Sequence, residues 1–550
     1  RAVEESDYRI QGLILNPLSN EQLQQTFKGV FLLVAPEIAL IATACIMFLF
    51  GCFYNRRWLW FLISLIGIGV AAIIAGTEKI HVPPILTAAP IVPDATASFI
   101  RWMAIIGAAV LSFVSWAEVK SENASEYYGC LLVATAGVSL TGRANDLITL
   151  FLALELISIP TYILLYIPVR SRLSQEAAAK YFLLSIMSSA ILLFGFSYLY
   201  GLAGSTNLAV IVDALTKANA EALSPMALLA IVMVVAAIGF RITAVPFHFY
   251  APDVYEGGPA GVVALLAFFP KVAGFAALVR LLGMVGANPY QLPFDAKTQL
   301  PLLLWIISIL TMTLGNVLAL IQVNIRRMLA YSSVAHAGYM LMGVVAASSY
   351  PDILNAAKSN DPSAAVHGPA AGGIDGMLVY LAAYGMMTIG AFAVILYLST
   401  QERSIESIDD LAGLSKSHPV LATAMAIFLF SLIGMPPTAG FIGKWLLFMG
   451  VFTAPSNTPS MGNLYQLLAV IAALNAAIGA YYYLRVIGVM YLRTPLRPLA
   501  SSRAIPTLFA AVVLAVGTLF FLGYSDSLAK AARKAAPVSI HPGKSTAQQQ

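Results

Sequence analysis

Four fully charged side chains stand inside apolar runs long enough to cross a bilayer: Glu155, Arg241, Lys271 and Lys444. Each lies away from the ends of its run, where a long side chain could snorkel to water. A charge at the bilayer centre costs about 2.5–3.5 kcal/mol on insertion scales, so residues of this kind mark ion or proton paths. A carboxylate and an amine can both exchange protons, and burial and neighbouring charge decide when they do. Glu155, Lys271 and Lys444 are therefore the candidates for a proton relay. Arg241 is chemically different. A guanidinium keeps its proton in proteins, so Arg241 can pair with Glu155 and set the field at Lys271 without passing a proton on. His248 and His336 lie in or beside apolar runs as well. A lone membrane histidine is often a hydrogen-bonded packing residue, and for these two that reading stands beside a relay role. Each relay candidate also has a blander reading. Glu155 could be a neutralised structural carboxylate, and Lys444, next to Trp445, an interfacial anchor.

The elements that must position these residues follow from composition. The chain has 550 residues, 59% hydrophobic and 10% charged, against roughly 25% charged in a soluble domain. Apolar windows of about 20 residues recur, the length of a transmembrane helix. The spacing predicts about fourteen spans, from Val30–Phe50 to Ile505–Leu522, with the seventh at Pro225–Tyr250, the eighth at Ala260–Met284 and the twelfth at Leu421–Val451. Longer loops are expected at 76–99, 204–224, 285–298, 348–372 and 452–463. The net charge of +5 and the lack of a basic cluster interleaved with aromatics exclude nucleic acid as a partner. No CxxC, no histidine pair at i, i+4 and no phosphate-binding glycine loop is present, so neither a metal nor a nucleotide site is expected. The residues through Lys28 are polar and lack the build of a signal peptide. Because the chain starts at Arg1 and not Met, a preceding segment is expected.

Lys and Arg are denser in alternate loops, at Arg56, Arg57, Lys120, Arg170, Arg172, Arg326, Arg327, Lys416 and Arg493. Those loops should face the cytoplasm, and an even number of spans puts both termini outside. Helix breakers add a second regularity. The seventh span ends around Pro246 and the twelfth contains Pro436-Pro437. Such breaks are tolerated in lipid only where protein or a hydrated cavity satisfies the freed backbone. The two broken spans are five apart, and five is odd. Spans 4–8 and 9–13 would then be inverted repeats with the breaks in matching places, the signature of a transport site. Side chains that could line a hydrated path include Tyr181, Tyr380, Tyr384 and Tyr481 to Tyr483, while Lys180 reads as an interfacial anchor. Asn123-Ala-Ser125 fits a glycosylation pattern that means nothing on an inside face.

Several stretches carry a family resemblance: residues 145–165 around Glu155, 239–262 through the seventh-span break, 270–279 with Lys271, 316–341 with His336, 434–446 with Lys444, and the YYYLRV run at 481–486. Together they resemble the antiporter-like membrane subunits of respiratory complex I, and most of all the N-type branch. The resemblance implies an all-α polytopic protein of fourteen helices with two inverted five-helix repeats. It divides the chain into a polar segment (1–29), helices 1–3 (30–127), a first repeat (128–284), a second (285–491), a last helix (492–524) and a flexible tail (525–550). It implies a proton-translocating subunit of an NADH:quinone oxidoreductase-type complex, in a bacterial inner membrane, among other membrane-arm subunits. No cofactor is expected on this chain; NADH, FMN, iron–sulfur clusters and quinone would belong to other subunits. The family's proton-handling residues fall on Glu155, Lys271 and Lys444. Where the family usually has a lysine in the seventh span, this chain has Arg241. A subunit of a multi-subunit Na+/H+ antiporter, and the membrane part of a proton-pumping hydrogenase or ferredoxin-driven complex, are rival readings; a scaffold whose charges merely pair is a third.

Overall fold

In hydrocarbon every backbone N–H and C=O must be satisfied within its own segment, so long apolar runs become helices. The computed structural model describes residues 20–78, 89–168, 171–217, 224–286, 294–347, 373–399, 404–452, 459–495 and 504–535. The chain opens with α1 (Asn20–Leu33), α2 (Ala35–Gly51), α3 (Arg57–Thr77), α4 (Ala95–Val114) and α5 (Ala124–Arg143). There follow α6 (Leu147–Tyr166), α7 (Arg172–Ala203), α8 (Leu208–Lys217), α9 (Pro225–Arg241), α10 (Ala251–Gly257) and α11 (Ala260–Gly286). Next come α12 (Phe294–Leu320), α13 (Ile325–Ala347) and α14 (Ile374–Leu398). The last are α15 (Leu414–Ser417), α16 (Pro419–Ile433), α17 (Ala439–Phe452), α18 (Pro459–Leu492) and α19 (Ile505–Ala535). Starts are fixed by local chemistry: Asp94 and Asp146 cap α4 and α6 by accepting from Ala97 N (2.7 Å) and Thr149 N (2.6 Å). Ser224 does the same for α9, with Pro225 in the first turn.

Among the described residues, nine helices are long and apolar enough to span a membrane. Extended pairing among them is confined to isolated bridges such as Asn324 with Ser407. The chain is thus an all-helical, polytopic membrane protein. Its helices divide into a sheath and a centre. In α3 only 33% of the apolar window is buried, whereas all of that in α11 is; α13 and α14 are nearly as enclosed. The sheath turns Leu49, Ile73, Leu183, Ile321 and Phe520 outward, as lipid-facing surface should. The Lys271 helix is therefore innermost.

Several expectations are corrected. The seventh span does not run helically to Tyr250: α9 stops at Arg241, residues 242–250 are irregular, and α10 follows. Proline has no N–H to give a helix and its ring clashes with the preceding turn, which is why the chain does not continue through Pro246. The break expected in the twelfth span is present, at Gly434–Thr438 between α16 and α17. The Val245–Pro246 and Pro436–Pro437 bonds are both cis. The expected loop at 204–224 contains α8. Residues 525–535, assigned to a flexible tail, are helical: α19 bends by 81° after Phe521 and runs to Ala535. Its last stretch is rich in alanine and lysine, both strong helix formers. The final turn docks, since Thr96 Oγ1 donates to Ala535 O. Residues 1–19 and 536–550, together with most of the expected loops at 76–99, 285–298, 348–372 and 452–463, lie outside the described residues.

The first helices hold a buried charge network. Arg101 pairs with Glu37 (2.7 Å) and Glu78 (2.5 Å), and Arg143 pairs with Glu78 (2.9 Å). Two carboxylates and two guanidiniums thus join α2, the end of α3, α4 and α5 in a largely buried network.

Candidate functional site

Glu155 stands on α6 and Arg241 is the last residue of α9. Their side chains meet, Arg241 Nη2 to Glu155 Oε1, at 2.9 Å. Arg241 Nη2 also donates to Ser189 Oγ (3.1 Å), and Nη1 to Leu154 O (3.1 Å) and Ser158 Oγ. Ser189 completes the cluster by donating to Glu155 Oε1 at 2.5 Å. The planar fork of donors is matched almost fully, which is the geometry a guanidinium satisfies and an ammonium does not.

Lys271 lies on α11, eleven residues after Ala260, and is fully buried. Its Nζ donates to Ser333 O on α13 and sits 5.0 Å from the centre of the Tyr384 ring. Tyr384 in turn donates to Ser333 Oγ (2.8 Å), which Tyr255 OH also meets at 3.3 Å. Among the described residues no carboxylate lies within ion-pair distance of Lys271. Gly274, one turn further on, carries the link to the Glu155–Arg241 pair. A Cβ there would come within 2.5 Å of Ile242 Cγ2 and 3.4 Å of Arg241 Cβ, so only glycine lets α11 pack this close to the break.

His336 lies one turn beyond Ser333 on the same face of α13. Its ring is held between two hydroxyls, Tyr380 OH at Nδ1 and Tyr483 OH at Nε2 (2.9 Å). Tyr483 also bonds to Ser332 Oγ. One turn further stands Tyr339, whose ring centre is 4.9 Å from Lys444 Nζ. Lys444 donates to Leu432 O and Ile433 O, both at 2.9 Å. These carbonyls are free because α16 ends there. Gly434 turns left-handed (φ 91°), and the N–H groups of Gly434 and Met435 return to Phe430 and Ser431. An ammonium at the carbonyl end of a helix is also favoured by the helix dipole. Asn316 and Tyr482 extend the polar wall beyond Tyr339, Tyr482 OH donating to Asn316 Oδ1 at 3.0 Å.

Lys271, His336 and Lys444 are therefore strung along one face of α13, while Glu155 and Arg241 form a separate pair joined to it through Gly274. His248 is not brought into this line. It lies in the irregular segment after α9, and its Nδ1 has no hydrogen-bond partner. Tyr380, Tyr384 and Tyr483 are on the line, Tyr181 stacks on Phe240 and lies tilted against Tyr250, and Tyr481 is 65% exposed. Lys180 pairs with Glu176 and Asp253. Residues missed in the sequence are Ser333, Tyr339, Asn316 and Ser189. A signal existed: Ser333, His336 and Tyr339 recur every third residue inside an apolar helix, which puts polar groups on one face. Among the described residues no cluster of three or more His, Cys, Asp or Glu could hold a metal ion.

The family described as NADH:quinone oxidoreductase/Mrp antiporter, transmembrane region, matches residues 144–354 and 364–468. NADH-quinone oxidoreductase subunit N of Rhodospirillum rubrum is 36% identical over 509 residues, covering 91% of this chain and 96% of that protein. A chain of respiratory complex I from Thermus thermophilus with bound aureothin superposes with a TM-score of 0.68 at 27% identity, over 90% of this chain and 99% of that one. A chain of the Mrp complex from Dietzia sp. gives a TM-score of 0.72 at 18% identity, over 92% and 97% of the two chains. At that identity the likeness extends to the fold alone.

Proposed function

The chain belongs to the NADH:quinone oxidoreductase/Mrp antiporter family, on its NADH-quinone oxidoreductase subunit N side, and from that premise we propose that Lys271, His336 and Lys444 form its proton path. The protein is a proton-translocating membrane-arm subunit of an NADH:quinone oxidoreductase complex, working among partner subunits in a lipid bilayer. The redox cofactors and quinone belong to other subunits. The observation that carries the reading is the polar line along α13. Each cation on it is held by carbonyls and tyrosine faces, which accept an amine whether or not it is protonated. Quinone reduction elsewhere in the complex loosens the Glu155–Arg241 pair. The field at Lys271 then changes through the α9–α11 contact. The Lys271 ammonium releases its proton toward Tyr380, His336 and Tyr483, becoming a neutral amine, and Lys444 receives the proton before it leaves. Arg241 takes part as a fixed charge, and His248 has no step in this path.

The finer layout accords with the same reading. Fourteen helices with two inverted five-helix repeats are the layout that accords with the paired breaks after α9 and α16, and a bacterial inner membrane is what the bacterial relatives favour. Each break has a cation beside it, Arg241 at the first and Lys444 at the second. A sodium-coupled antiporter would want several carboxylates on the path, and among the described residues the Lys271–His336–Lys444 line is bonded to carbonyls and tyrosine hydroxyls alone.

Lys271→Ala tests the reading in the assembled complex. Protons moved per electron should fall while quinone-linked electron transfer in the rest of the complex persists. Unchanged stoichiometry would defeat the relay and favour a scaffold whose charges only pair.

A further inference from the structure

The helix that carries Lys271 is gripped at both ends by carboxylates that flank α4. At its far end Arg280 Nη2 donates to Asp94 at 2.7 Å. At its first turn the Gly261 N–H donates to Glu118 Oε2 at 2.9 Å. Between them Phe268 and Phe269 press on Gly107, where a Cβ would come within 2.8 Å. The two carboxylates differ. Asp94 is ion-paired with Arg280. Glu118, half-buried, has no ion pair among the described residues.

Glu118 is closely surrounded. A Cβ on Gly261 would stand 2.6 Å from its carboxylate and 3.3 Å from the hydroxyl of Tyr127. Tyr127 faces it from α5, the first N–H groups of α11 cap it, and Arg326 acts on it electrostatically from α13. Arg326 is only 9% exposed; its Nη1 donates to Gly258 O (3.3 Å) and its Nε has no partner. Glu256 and Glu406 also act on that guanidinium. A carboxylate and a guanidinium are thus drawn out of water at one helix start without bonding to each other. Two routes lead inward from this point. Gly261 is ten residues from Lys271, about 15 Å along α11. Arg326 is seven residues from Ser333, about 10 Å along the same face of α13. Tyr255, one turn before Gly258, already bonds to Ser333 Oγ.

We propose that Glu118 is the carboxyl at which a proton enters the path to Lys271, from the face of the bundle where α11 begins. The proposal rests on the relay reading of Lys271. The Glu118 carboxylate takes a proton from water on that face. The resulting O–H bond then breaks as the proton passes, by way of water and the Tyr255 and Ser333 hydroxyls, to the neutral Lys271 amine. An N–H bond forms there and the carboxylate is restored. Burial pushes the Glu118 carboxyl up to about 7, opposed by the Gly261 N–H and the charge of Arg326. Both forms are therefore populated near neutral pH.

Glu118→Gln in the whole complex, in sealed membrane vesicles, is the test. Its amide oxygen still accepts from Gly261 but cannot ionise. Protons moved per electron should fall, Glu118→Asp should restore part of the loss, and a carboxyl infrared band titrating near neutral pH should vanish from the Gln variant. Normal stoichiometry in Glu118→Gln, with Lys271→Ala defective, overturns this role alone. Normal stoichiometry in Lys271→Ala overturns the relay itself. If the Gln variant does not assemble, the wild-type spectrum decides, because without a band titrating near neutral pH the proposal fails.

Discussion

Arg241 and Lys271 are both buried cations, yet their surroundings ask different things of them. Arg241 spends its donors on a carboxylate, a carbonyl and two hydroxyls, an arrangement fitted to a charge that never leaves. Arg241→Lys keeps that charge beside Glu155 but cannot span all the partners. The loss of hydrogen bonds should cost about 1–3 kcal/mol, visible as a lower melting temperature of the complex, with the pH profile of pumping unchanged. A shifted profile would show that position 241 titrates. Glu118 has the opposite character. Its carboxyl is raised from 4.5 to about 7 in the fold, so the folded state binds the extra proton. The stability this contributes is complete below about pH 4.5 and is lost as pH rises through about 7. Stability measured against pH should therefore be flatter across that interval in Glu118→Gln than in the wild type.

The break after α16 leaves the carbonyls of Leu432 and Ile433 free for Lys444, whereas Arg241 at the end of α9 reaches across to Leu154 O of α6. Gly440 makes the second break possible. Its N–H bonds to Ser431 Oγ at 2.9 Å, and a Cβ there would lie 1.8 Å from Ser431 O. Gly440→Ala must force α17 from α16. It should cost at least about 1–3 kcal/mol, as overpacking does, and weaken the bonds of Lys444 to Leu432 and Ile433. Thermal unfolding and pumping should fall together, and normal values for both would show that the close crossing is dispensable. The breaks were legible because proline and glycine punctuate an apolar run with a strong local signal. Lys271 and Lys444 were legible because charge in hydrocarbon is conspicuous. Where α9 would stop was not, since Ile242, Ala244, Val245 and Phe247 carry the apolar run on past its last residue, Arg241. The grouping of Lys271 with Ser333 and Tyr384 was also hidden: it is made between α11, α13 and α14, and no spacing along one chain encodes it. The role of His248 stayed open for the same reason, because its depth in the sequence says nothing about which way the irregular segment turns it.

At the scale of the whole molecule, the enclosed helices α11, α13 and α14 are surrounded by a sheath, and α4 acts as a splint along the innermost. The splint is fixed by the network of Glu37, Glu78, Arg101 and Arg143. Replacing one member leaves its partners charged and dry, so Arg101→Leu should cost about 3–5 kcal/mol. The subunit should then dissociate from the detergent-solubilised complex more readily, as native gels would record; full retention would mean the network is held in place by packing alone. The other flank of α4 is covered by α19, where Thr507 Oγ1 donates to Val114 O at 3.0 Å. Those two residues are 393 positions apart in the chain. During synthesis α4 must therefore wait in the bilayer with that side uncovered by protein until α19 has emerged. In that interval the nascent protein offers an open seam, which gives a membrane chaperone or a quality-control protease a time window in which to bind.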